Sequence, residues 1–306
     1  MKTAKIAQQL WDLLWQNYRD RVIYAQIYQQ MIEDAGGSIA NDHIAFRTLR
    51  LTINQAGHSI QMGIPYLAKI VEALGYQPAG EYHFPAQFLY ARHYVHPEQD
   101  NYNLPKLFIS ELVVDELPKN IAALIKQTVQ SGEIPLPDDL LPLGSIDPQD
   151  LNIPASLTQL VQLFSRAWQP PKQSVVEQVN ATSQYGAWVM IHGYGVNHFT
   201  GYVNLQQTAK YPTITETVAG LTNLGVPMKS SIEGSIASGL CQTATHAVIE
   251  QVWVQNDTGK LIQIPWPYAY YEIAERHQIK DSAGESVLFA GFLSTQAQQL
   301  FEMTRR

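Results

Sequence analysis

The residues with the clearest chemical potential in this chain of 306 residues are two histidines and two glutamates that recur in the same order. His43 precedes Glu111, and His198 precedes Glu272 after a similar length of chain. Imidazole and carboxylate groups together suit a divalent transition metal. Two histidines with one carboxylate leave positions on the ion open for substrate and oxygen, as in non-haem Fe(II) oxygenases. The pattern therefore predicts a metal site.

A weak internal repeat supports this selection. Each half of the chain has the pattern of a strand with the histidine, a helix, further strands and a last strand with the glutamate. A strand holds ligands rigidly because alternate side chains point to the same face. The chain has nine histidines, and a single histidine is more often structural than a ligand. The repeat is what distinguishes His43 and His198 from the other seven.

Arg47 follows His43 by four residues. On a strand, residues four apart share a face, so Arg47 is expected to lie over the metal pocket. Its planar guanidinium can bind a carboxylate through two parallel hydrogen bonds. The alternative for this arginine is a structural ion pair with a buried glutamate.

Hydrophobic periodicity predicts the elements that position these residues. Helices are expected at 3–34, 64–75, 213–225 and 295–305, and strands at 43–51, 79–95, 107–114, 187–204, 245–255 and 260–275. The stretch 116–186 has a helical pattern around a segment rich in Pro, Asp and Leu, which indicates a helical insertion.

The composition limits the classes of protein to which the chain can belong. Apolar residues make up 45% and charged residues 15%, which predicts a substantial core and excludes wholesale disorder. The formal net charge of −7 argues against a nucleic-acid partner. No targeting signal and no apolar run of membrane-spanning length is present, so no membrane association is expected. The single cysteine, Cys241, excludes an internal disulfide and suits a cytoplasmic location.

Three segments carry a resemblance to a known family: 41–47 (NDHIAFR), 105–112 (PKLFISEL) and 197–200 (NHFT). They resemble the 2-oxoadipate dioxygenase/decarboxylase family, also called 2-hydroxyglutarate synthases. The segment 271–276 (YEIAER), followed by Gly291-Phe292 and Leu300-Phe301, is similar to the C-terminal Phe-Glu-x-Ile-Gln-Arg motif of hydroxyphenylpyruvate dioxygenase and its relatives. The metal-binding glutamate of that motif corresponds to Glu272.

The resemblance implies a set of site residues and a reaction. His43, His198 and Glu272 would bind Fe(II), with Zn, Ni or Mn as alternative metals, and Arg47 would bind the substrate. The partners would be a small 2-oxo acid and O2. For 2-oxoadipate the products would be 2-hydroxyglutarate and CO2, a step of lysine catabolism.

The expected fold is of the α+β class and resembles the vicinal-oxygen-chelate fold, with repeated βαβββ modules forming a curved sheet around the metal. We expect a single domain over 1–306, with N-terminal helices at 1–37 and a first module at 38–115. The domain then continues with the helical insertion at 116–186. It ends with a second module and a C-terminal helix at 187–306.

The role of Glu111 stays open at this point. The repeat makes it the counterpart of Glu272, and as a fourth ligand it would favour a metal isomerase or lyase of the glyoxalase type. The dioxygenase interpretation, which we prefer, places it near the metal but outside the ligand set, or bound through water. Pairing with Lys106 or Lys229 is a further alternative. A non-catalytic small-molecule binding module with structural histidines is the remaining interpretation.

Overall fold

The computed structural model describes residues 2–136 and 155–293. Its centre is an eight-stranded sheet that curls into a half-barrel, with helices packed around it. The strands are β1 (Asn41–Arg50), β2 (Thr52–Gln55), β3 (His58–Gln61), β4 (Gln77–Phe84), β5 (Leu89–Val95), β6 (Lys106–Val113), β7 (Val196–Tyr202), β8 (Glu233–Ser235), β9 (Leu240–Ala244), β10 (Ile249–Gln255), β11 (Leu261–Pro267), β12 (Glu272–Arg276), β13 (Gln278–Lys280) and β14 (Ser286–Leu288).

Helices precede, connect and extend the two halves of this sheet. They are α1 (Lys2–Arg21), α2 (Ile23–Asp34), α3 (Ile64–Ala73), α4 (Gln99–Tyr102), α5 (Lys119–Val129), α6 (Ala155–Gln162), α7 (Gln173–Thr182), α8 (Gln184–His192) and α9 (Ile214–Asn223). None of the helices in these two stretches is long and apolar enough to cross a membrane.

The strand order β4-β5-β6-β1-β7-β12-β9-β8 divides the sheet into two equivalent halves. In each half the first strand is parallel to the last one, β1 to β6 and β7 to β12. A helix follows the first strand in both halves, α3 in one and α9 in the other. The two first strands, β1 and β7, pair antiparallel at the centre, where a pseudo-two-fold axis passes. The predicted α+β fold with repeated βαβββ modules is therefore confirmed.

The outer face of the central strands packs against α1. The Trp15 ring lies 5.1 Å from the Phe199 ring of β7 and 5.8 Å from the Tyr271 ring, between centroids. These two aromatic residues are chain neighbours of His198 and Glu272. Because side chains alternate along a strand, burying their rings on the outside directs the histidine and the glutamate to the inside of the half-barrel.

Some predicted elements differ from the observed ones. The helix expected at 3–34 is two helices, separated at Val22, whose backbone is not helical (φ −106°, ψ 87°). The strand expected at 187–204 is wrong for its first part, since α8 ends at His192 and β7 begins at Val196. The segment of α8 is almost wholly apolar, and a short apolar run does not distinguish a buried helix from a buried strand. The helix expected at 295–305 lies outside the described residues.

Candidate metal centre

Three potential metal ligands meet on the inner face of the half-barrel. His43 of β1 and Glu272 of β12 each pair with Thr200 of β7, two residues after His198. One ligand atom from each of His43, His198 and Glu272 lies within 4.8 Å of the others. The two Nε2 atoms are 3.3 Å apart. The carboxylate oxygens of Glu272 lie 3.6 Å from His43 Nε2 and 3.5 Å from His198 Nε2.

The electrostatics of this cluster suit a bound cation. Glu272 is completely buried, and neither of its carboxylate oxygens has a hydrogen-bond partner among the described residues. Burial raises the pKa of Glu272 well above its ordinary value. Burial likewise lowers the pKa of His198 well below its ordinary value. Two neutral imidazoles and one carboxylate that lacks a partner form a donor set that fits a divalent transition metal.

Both histidines are oriented by the residue that precedes them. Asp42 Oδ2 lies 2.9 Å from His43 Nδ1, and Asn197 Oδ1 lies 3.1 Å from His198 Nδ1. When each Nδ1 donates its proton to this oxygen, the lone pair of Nε2 points at the centre of the cluster. The His198 ring also stacks on the Tyr270 ring, with 4.8 Å between centroids.

Asp42 is itself held by a buried arginine. Arg276 Nε lies 2.5 Å from Asp42 Oδ1, and Arg276 Nη2 lies 2.8 Å from Asp42 Oδ2. Although burial opposes ionisation, the charge and hydrogen bonds of Arg276 hold the pKa of Asp42 well below its ordinary value. Arg276 Nη1 donates to the backbone oxygens of Phe289 at 3.0 Å and Gly291 at 2.8 Å. One guanidinium thus links the support of His43 to the segment 289–291.

This segment leads directly into the wall of the cavity at the cluster. The Phe292 ring lies 4.8 Å from the His43 ring and 4.9 Å from the Phe108 ring, between centroids. The backbone N–H of Phe292 donates to the hydroxyl of Tyr82 at 3.2 Å. Where this segment reaches the cavity, the wall therefore consists of aromatic side chains.

Arg47 lies where the strand alternation predicts it. It lines the same cavity as His43 and is 1% exposed. Its guanidinium carbon lies 5.1 Å from the centre of the Tyr185 ring and 5.3 Å from that of Trp188, both on α8. A delocalised cation between aromatic faces is held in a fixed orientation with little water around it.

Glu111 is not part of the cluster, and its carboxylate is bound by other groups. Its Oε1 binds Arg50 Nε at 2.5 Å, and its Oε2 accepts from the backbone N–H of Ile64 at 2.8 Å. Its neighbour Ser110 lines the cavity, and adjacent strand residues point to opposite faces. The isomerase alternative requires a fourth ligand at this position. Among the described residues, Glu111 does not supply it.

Sequence reasoning missed the residues that support the ligands. Asp42 and Asn197 precede the two histidines at equivalent positions, so the repeat itself contained the signal for them. Arg276 and Phe292 lay within the motif that carried the resemblance, but nothing in one sequence assigns them a contact with Asp42 or His43.

The chain has relatives with named activities. The family model described as 2-oxoadipate dioxygenase/decarboxylase matches residues 7–304. The plastid 2-oxoadipate dioxygenase/decarboxylase of Oryza sativa subsp. japonica is 31% identical over 173 residues, covering 54% of this chain and 40% of that protein. The chloroplast protein of the same name from Arabidopsis thaliana is 28% identical over 281 residues, covering 86% and 67%. The first match thus spans less than half of its relative. Both relatives are plastid proteins, and the cytoplasmic location of this chain stays a prediction.

Two solved structures share the fold. A glyoxalase superfamily protein of Ralstonia eutropha JMP134 has a TM-score of 0.77 at 23% identity, covering 94% of this chain and 85% of that one. The hydroxyglutarate synthase of Oryza sativa in complex with 2-oxoadipate has a TM-score of 0.76 at 23% identity, covering 99% and 93%. These matches confirm the vicinal-oxygen-chelate-like fold that the sequence motifs indicate.

Adding a divalent metal to the metal-free protein is expected to stabilise it through the cluster. A Zn(II) concentration 100 times the dissociation constant should raise the free energy of unfolding by about 2.7 kcal/mol, because the ion binds the folded state alone. Thermal unfolding with and without Zn(II) measures the effect. His198→Ala should abolish the Zn(II)-dependent shift, whereas His83→Ala, at an exposed position, should keep it. An equal shift in both variants would contradict the assignment.

Asp42→Asn is expected to damage both stability and metal binding. Stability should fall by about 3–5 kcal/mol because Arg276 stays buried without its carboxylate. Zn(II) affinity should fall about 10–100-fold because His43 loses its orienting partner. Urea unfolding and Zn(II) titration measure the two effects. Adding Arg276→Met should restore part of the stability, and Asp115→Asn, which breaks an exposed pair with Lys126, should change little. Unchanged stability in Asp42→Asn would contradict this account.

Proposed function

Because the chain belongs to the 2-oxoadipate dioxygenase/decarboxylase family, we propose that it converts 2-oxoadipate and O2 to 2-hydroxyglutarate and CO2. The observation that carries the proposal is the buried cluster of His43, His198 and Glu272 with Arg47 in the same cavity. The rice hydroxyglutarate synthase that shares the fold binds 2-oxoadipate, which supports the choice of substrate.

We further propose Fe(II) as the metal. Two imidazoles and one carboxylate with open positions are the donor set of non-haem iron oxygenases. Zn, Ni and Mn remain competitors because first-row divalent ions share these ligands. When bound, the metal supplies a template for the 2-oxo acid group and activates oxygen for oxidation.

The proposed reaction balances without any further reductant. The bond between C1 and C2 of the substrate breaks, and C1 leaves as CO2. The former keto carbon becomes the new carboxylate and takes one oxygen atom from O2. The adjacent carbon takes the other oxygen atom as a hydroxyl group. The four electrons needed to reduce O2 therefore come from the substrate alone.

The protein's own residues orient the substrate and keep the site dry. His43 and Arg47 line the same cavity and lie four residues apart on β1, so a 2-oxo acid held at the cluster would extend along the strand towards Arg47. Arg47 would bind the distal carboxylate, which fixes the reacting end at the cluster. The aromatic wall that includes Phe292 excludes water, and this strengthens the charge interactions inside.

Oxygen uptake by the Fe(II)-loaded protein tests the proposed function. The metal-free protein is loaded with Fe(II) under anaerobic conditions, and O2 consumption is then followed with 2-oxoadipate, 2-oxoglutarate and 2-oxohexanoate. We expect one O2 consumed and one CO2 released for each 2-oxoadipate, with slower turnover of the monocarboxylic 2-oxohexanoate. Conversion of substrate without oxygen consumption would favour the isomerase or lyase alternative. Metal binding without any turnover would favour the binding-module alternative.

Arg47→Ala is expected to lower kcat/KM for 2-oxoadipate selectively. Losing a charge-assisted bidentate contact in a desolvated pocket costs about 2–5 kcal/mol, or roughly thirty-fold to several-thousand-fold. Turnover of 2-oxohexanoate should change much less because it has no distal carboxylate. Arg47→Lys should recover only part of the loss, since an ammonium group lacks the planar fork. Equal losses for both substrates, or loss of metal binding, would show that Arg47 supports the site structurally.

A further inference from the structure

The hydrogen-bond register between β1 and β7 defines which residues of the two halves are equivalent. His43 pairs with Thr200, and His198 pairs with Ala45. Each histidine therefore pairs with the residue two positions after the other histidine. The pseudo-two-fold axis thus relates His43 to His198 and Ala45 to Thr200.

The neighbouring parallel strands extend this equivalence to the carboxylate ligand. In the second half, Glu272 of β12 pairs with Thr200. In the first half, Phe108 of β6 pairs with Ala45, the equivalent of Thr200. Phe108 therefore occupies the position that is equivalent to Glu272.

The side chain at this position is apolar and lies in the cavity. Phe108 is buried and lines the same cavity as the cluster. Its ring contacts the rings of Phe292 and Tyr82, with centroids 4.9 Å and 5.5 Å away. A carboxylate on this backbone position would approach the two histidines from the side opposite to Glu272. Phenylalanine offers no donor atom there.

We propose that Phe108 determines the reaction class of this site by limiting the protein to three metal ligands. Metal sites with four protein ligands are closed, whereas sites with three keep positions for small molecules. By filling the second carboxylate position with a ring, the chain reserves one side of the ion for substrate and oxygen. The inference rests on the proposed function only in that both need a metal at His43, His198 and Glu272.

The sharpest test moves the carboxylate from one half of the sheet to the other. Glu272→Ala is compared with Phe108→Glu/Glu272→Ala in the full chain, with Zn(II) affinity measured by competition with a chromophoric chelator. Glu272→Ala should weaken Zn(II) binding at least about tenfold. Adding Phe108→Glu should restore most of the affinity, because the equivalent position presents the same group to both histidines. In this double variant the number of buried carboxylates at the site equals that of the wild type, so the two proteins bury the same number of acidic groups.

The single variants test the number of ligands directly. Phe108→Glu should bind Zn(II) about tenfold more tightly or better, since an additional charged ligand raises affinity. Its Co(II) form should differ from the wild type in visible absorption, which reports coordination number, and its oxygen uptake with Fe(II) and 2-oxoadipate should fall. Phe108→Leu is the matched control without a donor atom. It should keep the Zn(II) affinity and Co(II) spectrum of the wild type.

The outcomes separate this inference from the proposed function. Should the double variant fail to fold, Phe108→His/Glu272→Ala makes the same comparison with a neutral ligand. If neither double variant binds Zn(II) more tightly than Glu272→Ala, the inference is overturned. If the affinities and spectra change as expected but the wild type consumes no oxygen with 2-oxoadipate, the proposed function fails and the ligand-limiting role of Phe108 stands.

Discussion

The antiparallel pairing of β1 with β7 is the constraint on which the rest of the structure depends. It joins the two halves of the sheet. It also brings the Nε2 atoms of His43 and His198, which are 155 residues apart in the chain, to within 3.3 Å of each other. The register is interrupted at two places along β1, so the seam is not a regular ladder. The Trp15 ring of α1 covers this seam from outside. A helix without chemical groups at the site therefore helps to fix the geometry of the ligands.

The two buried carboxylates near His43 show how environment separates chemical roles. Asp42 and Glu272 are both removed from water, and burial alone would raise the pKa of each. Arg276 offsets this for Asp42 through two short hydrogen bonds, so that carboxylate stays ionised and holds an imidazole. Glu272 has no such bonded partner among the described residues, so its pKa stays raised, and a bound cation would take the place of its proton. The pKa values of the two carboxyl groups differ in direction because the Arg276 guanidinium forms hydrogen bonds with Asp42 and not with Glu272.

Strand alternation made much of the site predictable. It places Arg47 on the face of His43, and the order of elements in the two halves predicts the pairing of modules. The same alternation explains the error at Glu111. Similar sequence and spacing around Glu111 and Glu272 suggested that these residues are equivalent. The hydrogen-bond register instead makes Phe108 the counterpart of Glu272. Glu111 lies three residues after Phe108 on the same strand and therefore faces the opposite side of the sheet. Register across a sheet is set by tertiary pairing, and a single sequence does not contain it in readable form.

The distribution of the three candidate ligands along the chain has a consequence for how the protein would acquire a metal. Residues 43, 198 and 272 become neighbours only when sheet pairing has closed two long loops, and loop closure costs chain entropy. Arg276 also donates to the backbone oxygens of residues 289 and 291, so the support around His43 is complete only when this segment has docked. No short segment of the unfolded chain contains the three ligands. An ion that binds these three residues therefore finds its site only after all three have been synthesised and the sheet has paired, so metal binding would follow folding.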